Sequence, residues 1–496
     1  MNTNVIAIVA VAYTVFFAGI VALAHRGRLM TALATAVVVL VTSTFLLDTF
    51  QTQVSYPNKK VIVFASMFAS GEGKQRIYEK AIATFEKQNP QYKVQVRWDG
   101  RWVLSQNRPR LLTGKDVPDI IEGSSEELRI IVQEQYALPL DEHINALSPE
   151  TGKPWKDDWD PDTLDMGRYR LKPLEPSTGH SVQLPPHPLE GKLALAPNLL
   201  ADSVYFYNKA IARRLGIDKT PQTWDEFKAV CQKAKDADVE PIMLEGNGYG
   251  SMLADTLLQT SVPCEELRQT ILGVGSRKPF TDLLYQRIYA LEREILDKYV
   301  MRGWQACDWP KGQQAFATGK GLFILCGTWL PAELRETAVT DKNIFELGII
   351  PFPRFNDEPP GIWATSAFGL IILKDGNQRQ GAIRFLQFLS GTVRQEDRWG
   401  HHIATEDGNL VAFKRDPLPA ELDDLRVQLA SRTRLVSNPT RAFAPNWTQY
   451  IYTQLHDDFI KTNHGEASYM TAGQFLQELE RRTMQYNRAG GEAKWH

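Results

Sequence analysis

Lys60-Val61-Ile62-Val63-Phe64-Ala65, a Gly/Ser stretch, the segment Lys74 to Asn89, and then Tyr92-Lys93-Val94-Gln95-Val96-Arg97-Trp98 form the stretch whose reading decides the fold. The first run is short and, after Lys60, continuously apolar, the pattern of a buried strand. Between Lys74 and Asn89 the residues Ile77, Tyr78, Ala81, Ile82 and Phe85 recur on one helical face, and Pro90 stops the helix. Tyr92 to Trp98 alternates polar and apolar positions like a half-buried strand. Strand, helix and strand in succession predict an α/β sheet, in which ligands bind at the carboxyl ends of the strands.

The same alternation continues outward. Pro118-Asp119-Ile120-Ile121 reads as a short strand, and Ser124 with Glu127 forms a capping box that opens a helix through Gln133. Further strands are expected at Lys192 to Pro197, Ser203 to Tyr207, Pro241 to Leu244, Gly321 to Cys326, Leu347 to Pro351 and Phe368 to Leu373. Helices are expected from Lys209, from Thr223 with a Thr223/Glu226 capping box, and over Met252 to Tyr299 with breaks near Pro263 and Pro279. Gln380 to Leu389 and Gly473 to Met484 read as amphipathic helices. From Pro149 to Pro188 the chain carries eight prolines in 40 residues, against 28 in all 496, so neither continuous helix nor central strand fits and a loop-rich insertion is expected.

A chain of 496 residues exceeds a single core, and 43% hydrophobic with 23% charged residues is a globular mixture. The formal charge is −2, from 56 Lys+Arg against 58 Asp+Glu, which argues against a nucleic-acid partner. Cys231, Cys264, Cys307 and Cys326 contain no CxxC and no zinc-ligand pair. Cys326 reads as a core thiol; Cys264 and Cys307 both fall in irregular segments, which leaves a bridge between them open. Val5 to Ala24 and Leu29 to Leu47 are uncharged runs of 20 and 19 residues, each long enough to cross a hydrocarbon core of about 30 Å. They predict a transmembrane hairpin turning at His25-Arg26-Gly27-Arg28. The two arginines abut both spans and favour a cytoplasmic turn, although Lys59 and Lys60 tie the count at two against two. The rival, cleavage after Ala22-Leu23-Ala24, lacks a basic n-region and is followed by a second span.

Several segments carry a family resemblance. Val204-Tyr205-Phe206-Tyr207-Asn208-Lys209, Leu215-Gly216-Ile217 and Pro221-Gln222-Thr223-Trp224-Asp225-Glu226-Phe227 resemble a motif of the extracellular solute-binding proteins of ABC importers, in particular the carbohydrate-binding, maltose-type branch. In the same order stand Phe85-Glu86-Lys87, Pro118-Asp119-Ile120-Ile121, Phe316-Ala317-Thr318-Gly319-Lys320-Gly321 before Gly327-Thr328-Trp329, and the late helix from Ala382 to Leu389. The resemblance spans roughly Lys60 to Met484. It implies a two-lobed α/β fold of the type II periplasmic-binding-protein kind, with ligand in the cleft, no enzyme activity and no cofactor. The organisation then expected is an anchor and linker over 1–57, first-lobe segments at 58–143 and 336–392, the proline-rich insertion at 144–190, and second-lobe segments at 191–335 and 393–496. The longer insertion and the double-span anchor depart from the family's usual pattern.

A sugar cleft needs flat aromatic faces and planar polar groups. Trp329 stands where the family places a stacking tryptophan, and Trp363 precedes a strand. Glu72, in Ser70-Gly71-Glu72-Gly73-Lys74, falls near the family's acidic contact; helix-terminal charge compensation explains it equally. Ser124 and Ser125 match a contact region, though the capping box also accounts for Ser124. Asn198 and Asp202 follow a strand, and Tyr249 lies between glycines. Asp158-Trp159-Asp160-Pro161-Asp162 has calcium-loop carboxylates but lacks the Gly and Glu such a loop needs, so a solvated acidic loop is expected. His401-His402 reads as a surface turn. The expected function is a membrane-anchored, extracytoplasmic receptor that captures a sugar or oligosaccharide and delivers it to ABC permease subunits. A membrane-tethered sugar sensor and a polysaccharide-acting enzyme remain as alternatives.

Overall fold

The computed structural model describes residues 56–169, 187–246, 249–275, 277–336, 346–350, 352–358, 362–425, 434–436, 444–463 and 465–491. The chain divides into a unit of Met1–Lys59 and a unit of Lys60–His496. The hairpin expected at 5–24 and 29–47 lies outside the described residues. Among those described, no helix is long and apolar enough to cross a membrane.

The second unit opens as its first stretch dictates. Strand β1 (Lys60–Ser66), helix α1 (Gly73–Gln88) and strand β2 (Tyr92–Trp98) are followed by helix α2 (Val103–Thr113) and strand β3 (Ile120–Ser124). The five apolar residues of α1 all face inward, and β2 and β3 flank β1 in parallel. Next come β4 (Ala196–Asn208), helix α3 (Trp224–Asp236), β5 (Glu240–Met243), helix α4 (Leu283–Lys298), β6 (Gly321–Gly327), helix α5 (Leu330–Glu336), β7 (Leu347–Ile350) and β8 (Ile362–Ile372). Helix α6 (Arg379–Gly391), β9 (Arg434–Val436), α7 (Thr453–Ile460) and α8 (Ala472–Arg488) complete the elements used here. The strand order is β2-β1-β3-β8-β4-β6-β5, with β7 also pairing β4 and β9 pairing β8.

Strand β4 joins the two halves of this array. Its first half pairs antiparallel with β8, through Ala196↔Leu370 to Asp202↔Thr365. Its second half pairs antiparallel with β6, from Ser203↔Gly327 to Tyr207↔Phe323, and with β7. The sequence pattern suggested two strands separated at Asn198 to Asp202. One continuous strand forms instead, because the polar side chain of Asn198 is absorbed at a register shift between Pro197 and Leu199 and its amide N–H group donates to Glu122 inside the protein.

Two hydrophobic cores flank the crossing. Phe64, Tyr78, Phe85, Phe385 and Trp399 meet in the first, with Phe64 5.2 Å edge-on to Tyr78 and Phe85 5.1 Å from Phe385. Trp224, Phe227, Tyr289, Trp447 and Phe475 belong to the second. The pleat of β4 feeds both, since Tyr205 lies in the second core and its neighbour Phe206 in the first. Two expectations change here. The insertion contributes buried Trp155, Trp159, Leu164 and Leu189 to the first core, so it is packed structure as well as loop. Residues 393–496, grouped above with one lobe, divide: Trp399, Ile403, Phe413 and Leu422 pack in the first core, and Trp447, Phe459 and Phe475 in the second.

Local chemistry fixes several boundaries. The Thr223/Glu226 capping box forms in full, with Thr223 Oγ1 accepting the Glu226 N–H. The box expected at Ser124 is only half made: Ser124 Oγ accepts the Glu127 N–H at 3.2 Å, but the helix begins at Arg129. Cys307 is a free thiol, which removes the bridge to Cys264. His402 is not in a surface turn; it is buried in a short helix, with Nδ1 2.6 Å from Glu406 Oε1.

The second core also holds a dry ion pair. His456 Nε2 lies 3.0 Å from Glu292 Oε2, both essentially inaccessible. Burial acts to depress the imidazole pKa, but the Glu292 charge and hydrogen bond outweigh it and the net shift is upward. A raised folded-state pKa stabilises the protein fully below the ordinary histidine value of 6.5, and that contribution disappears as pH rises through the folded value. The urea-midpoint difference between wild type and His456→Gln is therefore expected to be largest below pH 6.5 and to shrink at higher pH. A difference independent of pH would contradict the charged pair.

Candidate functional site

The site is built around the crossover of β4. Asp202 is the last residue paired to β8, and Ser203 the first paired to β6. Thr328, just past β6, clamps this point: its N–H donates to Asp202 O at 3.0 Å, and its Oγ1 accepts the Asp202 N–H at 3.2 Å. Trp329 follows, and α5 begins at the next residue. The Trp329 ring lies directly over Gly327, where a Cβ would collide with it, so the glycine makes the ring's position possible. Its indole N–H donates to Tyr249 Oη at 3.3 Å, with ring centroids 6.4 Å apart and tilted 50°.

Carboxylates and an amide surround this aromatic pair. Glu333, one helical turn beyond Trp329, accepts from Gln313 Nε2 at 2.6 Å and lies 3.5 Å from Tyr249 Oη. Gln313 donates its own N–H to Glu245 Oε1 at 3.1 Å. Burial raises the pKa of Glu333, against the lowering effects of Gln313, Arg101 and a hydrogen bond from Trp309. Glu245 is raised by burial too, with the Gln313 and Gly312 N–H groups opposing and the Glu333 charge adding. Burial also pushes the Tyr249 phenol up, which keeps its proton in place at neutral pH.

The facing surface comes from the loop between β1 and α1 and from the approach to α2. Glu72 caps its own turn, with Oε1 accepting the Ala69 N–H at 2.9 Å and Oε2 3.6 Å from Arg101 Nη2. Arg101 also donates to Met67 O at 2.7 Å and lies over the Phe68 ring at 5.3 Å. Lys74 stands 4.9 Å from the same ring and pairs with Asp407 at 3.0 Å, almost out of contact with solvent. The charges of Arg101 and Lys74 act on Glu333, so the two surfaces lie within electrostatic reach. Arg335 of α5 adds a mechanical link, donating to Glu406 O at 2.9 Å and pairing with Glu421.

Of the candidate residues, the structure gathers Asp202, Tyr249 and Trp329 in one place, with Glu72 on the facing surface through Arg101. Asn198 is elsewhere. It is fully buried, and its amide donates to Glu122 Oε1 at 2.8 Å and to Tyr78 Oη at 3.2 Å, in a network that Ser66 Oγ completes at 2.6 Å from Glu122. Ser124 and Ser125 stand at the end of β3, where the Ser125 N–H donates to Ala367 O at 2.8 Å. Trp363 is described only through its backbone, paired with Leu435. Sequence reasoning missed Arg101, Glu245, Gln313 and Glu333. Only Glu333 left a signal, its place four residues after the candidate Trp329; the others arrive from distant parts of the chain.

Residues 69–396 match the sequence profile of the family described as bacterial extracellular solute-binding protein. A probable sugar-binding periplasmic protein of Mesorhizobium japonicum is 26% identical over 159 residues, 32% of this chain and 37% of that protein. A multiple sugar-binding protein of Streptococcus mutans is 28% identical over 156 residues, 30% of this chain and 35% of the other. The chain thus spans little more than a third of the length of these relatives. Among solved structures, a chitin oligosaccharide binding protein superposes with a TM-score of 0.65 at 16% identity, over 87% of this chain and 100% of that one. An ABC substrate-binding protein of Listeria monocytogenes in complex with cycloalternan superposes with a TM-score of 0.62 at 17% identity, over 88% and 100%. These likenesses establish the fold.

The Lys74–Asp407 pair generates a direct test. Asn409 Nδ2 also donates to Asp407, so removing this carboxylate strands both a buried ammonium and an amide. Asp407→Ala is expected to cost about 3–5 kcal/mol in urea unfolding. A cost below about 1 kcal/mol, the range of an exposed pair, would show that the ammonium is solvated.

Proposed function

The chain belongs to the bacterial extracellular solute-binding proteins, and from that premise we propose that it captures a sugar or oligosaccharide at the β4 crossover and presents it to ABC permease subunits for import. The observation that carries this reading is the Trp329–Tyr249 pair set against Glu333 and Gln313, opposite Arg101. Aromatic faces suit the C–H side of a pyranose, while carboxylate, amide and guanidinium groups suit its hydroxyls and leave few buried donors unpaired. The sugar-binding names of the relatives support the ligand class.

The crossover also supports a mechanism. Because β4 belongs to both halves of the sheet, a ligand bridging Trp329 and Arg101 favours the arrangement in which the two surfaces are close, and a permease can read that population shift. Contacts made only when both surfaces are engaged set the size of the shift. Trp329, Tyr249, Glu333, Gln313 and Arg101 are proposed as ligand contacts, with Glu72 holding Arg101 and Asp202 fixing the crossover. We assign the 5–24 and 29–47 runs the role of tether, which keeps the receptor extracytoplasmic at the cell membrane beside its partner.

Two measurements test this. In a thermal-shift screen of mono- and oligosaccharides, a true ligand stabilises by about 2.7 kcal/mol at one hundred times its dissociation constant. Trp329→Ala is expected to weaken that ligand at least tenfold, about 1.4 kcal/mol, in calorimetry with the melting temperature of the free protein little changed. Gly327→Ala, which displaces the ring without deleting it, is expected to weaken binding in the same direction. Unchanged affinity in both variants would remove Trp329 from the site.

A further inference from the structure

A cavity of about 910 Å³ lies where the proline-rich insertion meets the segment around Lys414. None of its lining residues is among the groups proposed above as ligand contacts, and it plays no part in that function. Its floor includes Trp159 and Leu164, both buried in the first core, and exposed Val393 stands at its edge. Trp159 is held in place by its indole N–H, which donates to Pro197 O at 2.7 Å.

The charges around this cavity are unbalanced. Five cations line it, Lys153, Lys156, Arg168, Lys414 and Arg415, against three carboxylates, Asp157, Asp158 and Asp165. Both arginines are engaged. Arg168 Nη1 lies 2.8 Å from Asp141, and Arg415 Nη2 3.2 Å from Asp158, whose other oxygen accepts from Ser390 Oγ at 2.9 Å. That pairing also disposes of a calcium role for Asp158, since its oxygens face a hydroxyl and a guanidinium. The lysines are not similarly neutralised. Lys156 Nζ donates to the neutral Asn145 Oδ1 at 3.0 Å, Lys414 reaches Asp160 only at 3.8 Å with both side chains more than half exposed, and Lys153 forms no ion pair among the described residues. Three under-compensated ammonium groups at one concave mouth are unexpected in a chain of net charge −2. Concavity with low-dielectric walls focuses their field on whatever occupies the space.

We infer that this cavity is an accessory binding site for a small soluble anion carrying compact multiple negative charge, a phosphate monoester or a polycarboxylate, with a small apolar body laid against Trp159 and Leu164. The volume is within the range of small-molecule pockets and larger than a bare oxyanion requires. Lysines rather than free guanidinium forks supply the charge, which suits a dense anion over a planar monocarboxylate.

The test is calorimetric titration of the full chain with phenyl phosphate and, separately, citrate, at low salt. One molecule of at least one probe is expected to bind, with affinity falling as ionic strength rises. The combined Lys153→Glu, Lys156→Glu and Lys414→Glu variant is expected to lose at least tenfold in that affinity; these lysines are exposed, and circular dichroism checks that the fold is kept. The milder triple substitution to Gln should give a smaller loss in the same direction. Trp329→Ala should leave binding of the probe unchanged, which separates this cavity from the crossover site. Binding of neither probe, equal affinity in the charge-reversed variant, or loss in Trp329→Ala alone would each overturn the inference.

Discussion

Strand β4 is the constraint on which the rest depends. It is paired to β8 through Asp202 and to β6 from Ser203 onward, so a single backbone carries the hydrogen bonds of both halves of the sheet. Its alternating side chains commit Tyr205 to one core and Phe206 to the other. The strand must therefore be buried along nearly its whole length, and every polar residue on it must find partners inside. The amide N–H group of Asn198 donates to Glu122 and Tyr78, while Thr328 clamps the backbone of Asp202. Trp329 emerges just past the end of β6, beside the point where β4 changes partners.

The second constraint is electrostatic. Arg101 and Lys74 on one surface counter the buried carboxyl of Glu333 on the other, while the Lys74–Asp407 pair stays inside the first core. Such charges are expensive to bury. Here the charges of Arg101 and Lys74 act on Glu333, which lies 3.5 Å from the hydroxyl of Tyr249 in the Trp329–Tyr249 pair. That combination of flat aromatic faces and planar polar groups is the basis on which we propose a sugar as the solute. The fold alone would not choose among ligands.

Much of the fold was legible because burial repeats at short range. β1, α1 and β2 show the expected periods and sit within a residue of their expected boundaries, and the Thr223/Glu226 capping box forms in full. The misreadings share one cause, long-range packing that local pattern does not encode. The segment from Asn198 to Asp202, polar only at its two ends, looked like a break because the partners of Asn198 lie 76 and 120 residues away. The insertion looked loop-rich because its prolines are local, whereas Trp155 is anchored by a hydrogen bond to Ser390, 235 residues on. At the site, Trp329 and Tyr249 were visible as aromatics after a strand and in a glycine turn. Gln313, Glu245 and Arg101 were not, since only the tertiary fold brings them near Glu333.

The central claim is that a solute bridges the two surfaces at the β4 crossover. Amide hydrogen exchange of the full chain, with and without a mixed pool of mono- and oligosaccharides, tests it most directly. The account predicts slowed exchange on both sides at once, at residues 68–74 and 100–102 and at residues 328–333, as the surfaces close on the ligand. Slowing on neither side, or on one side only, would contradict it.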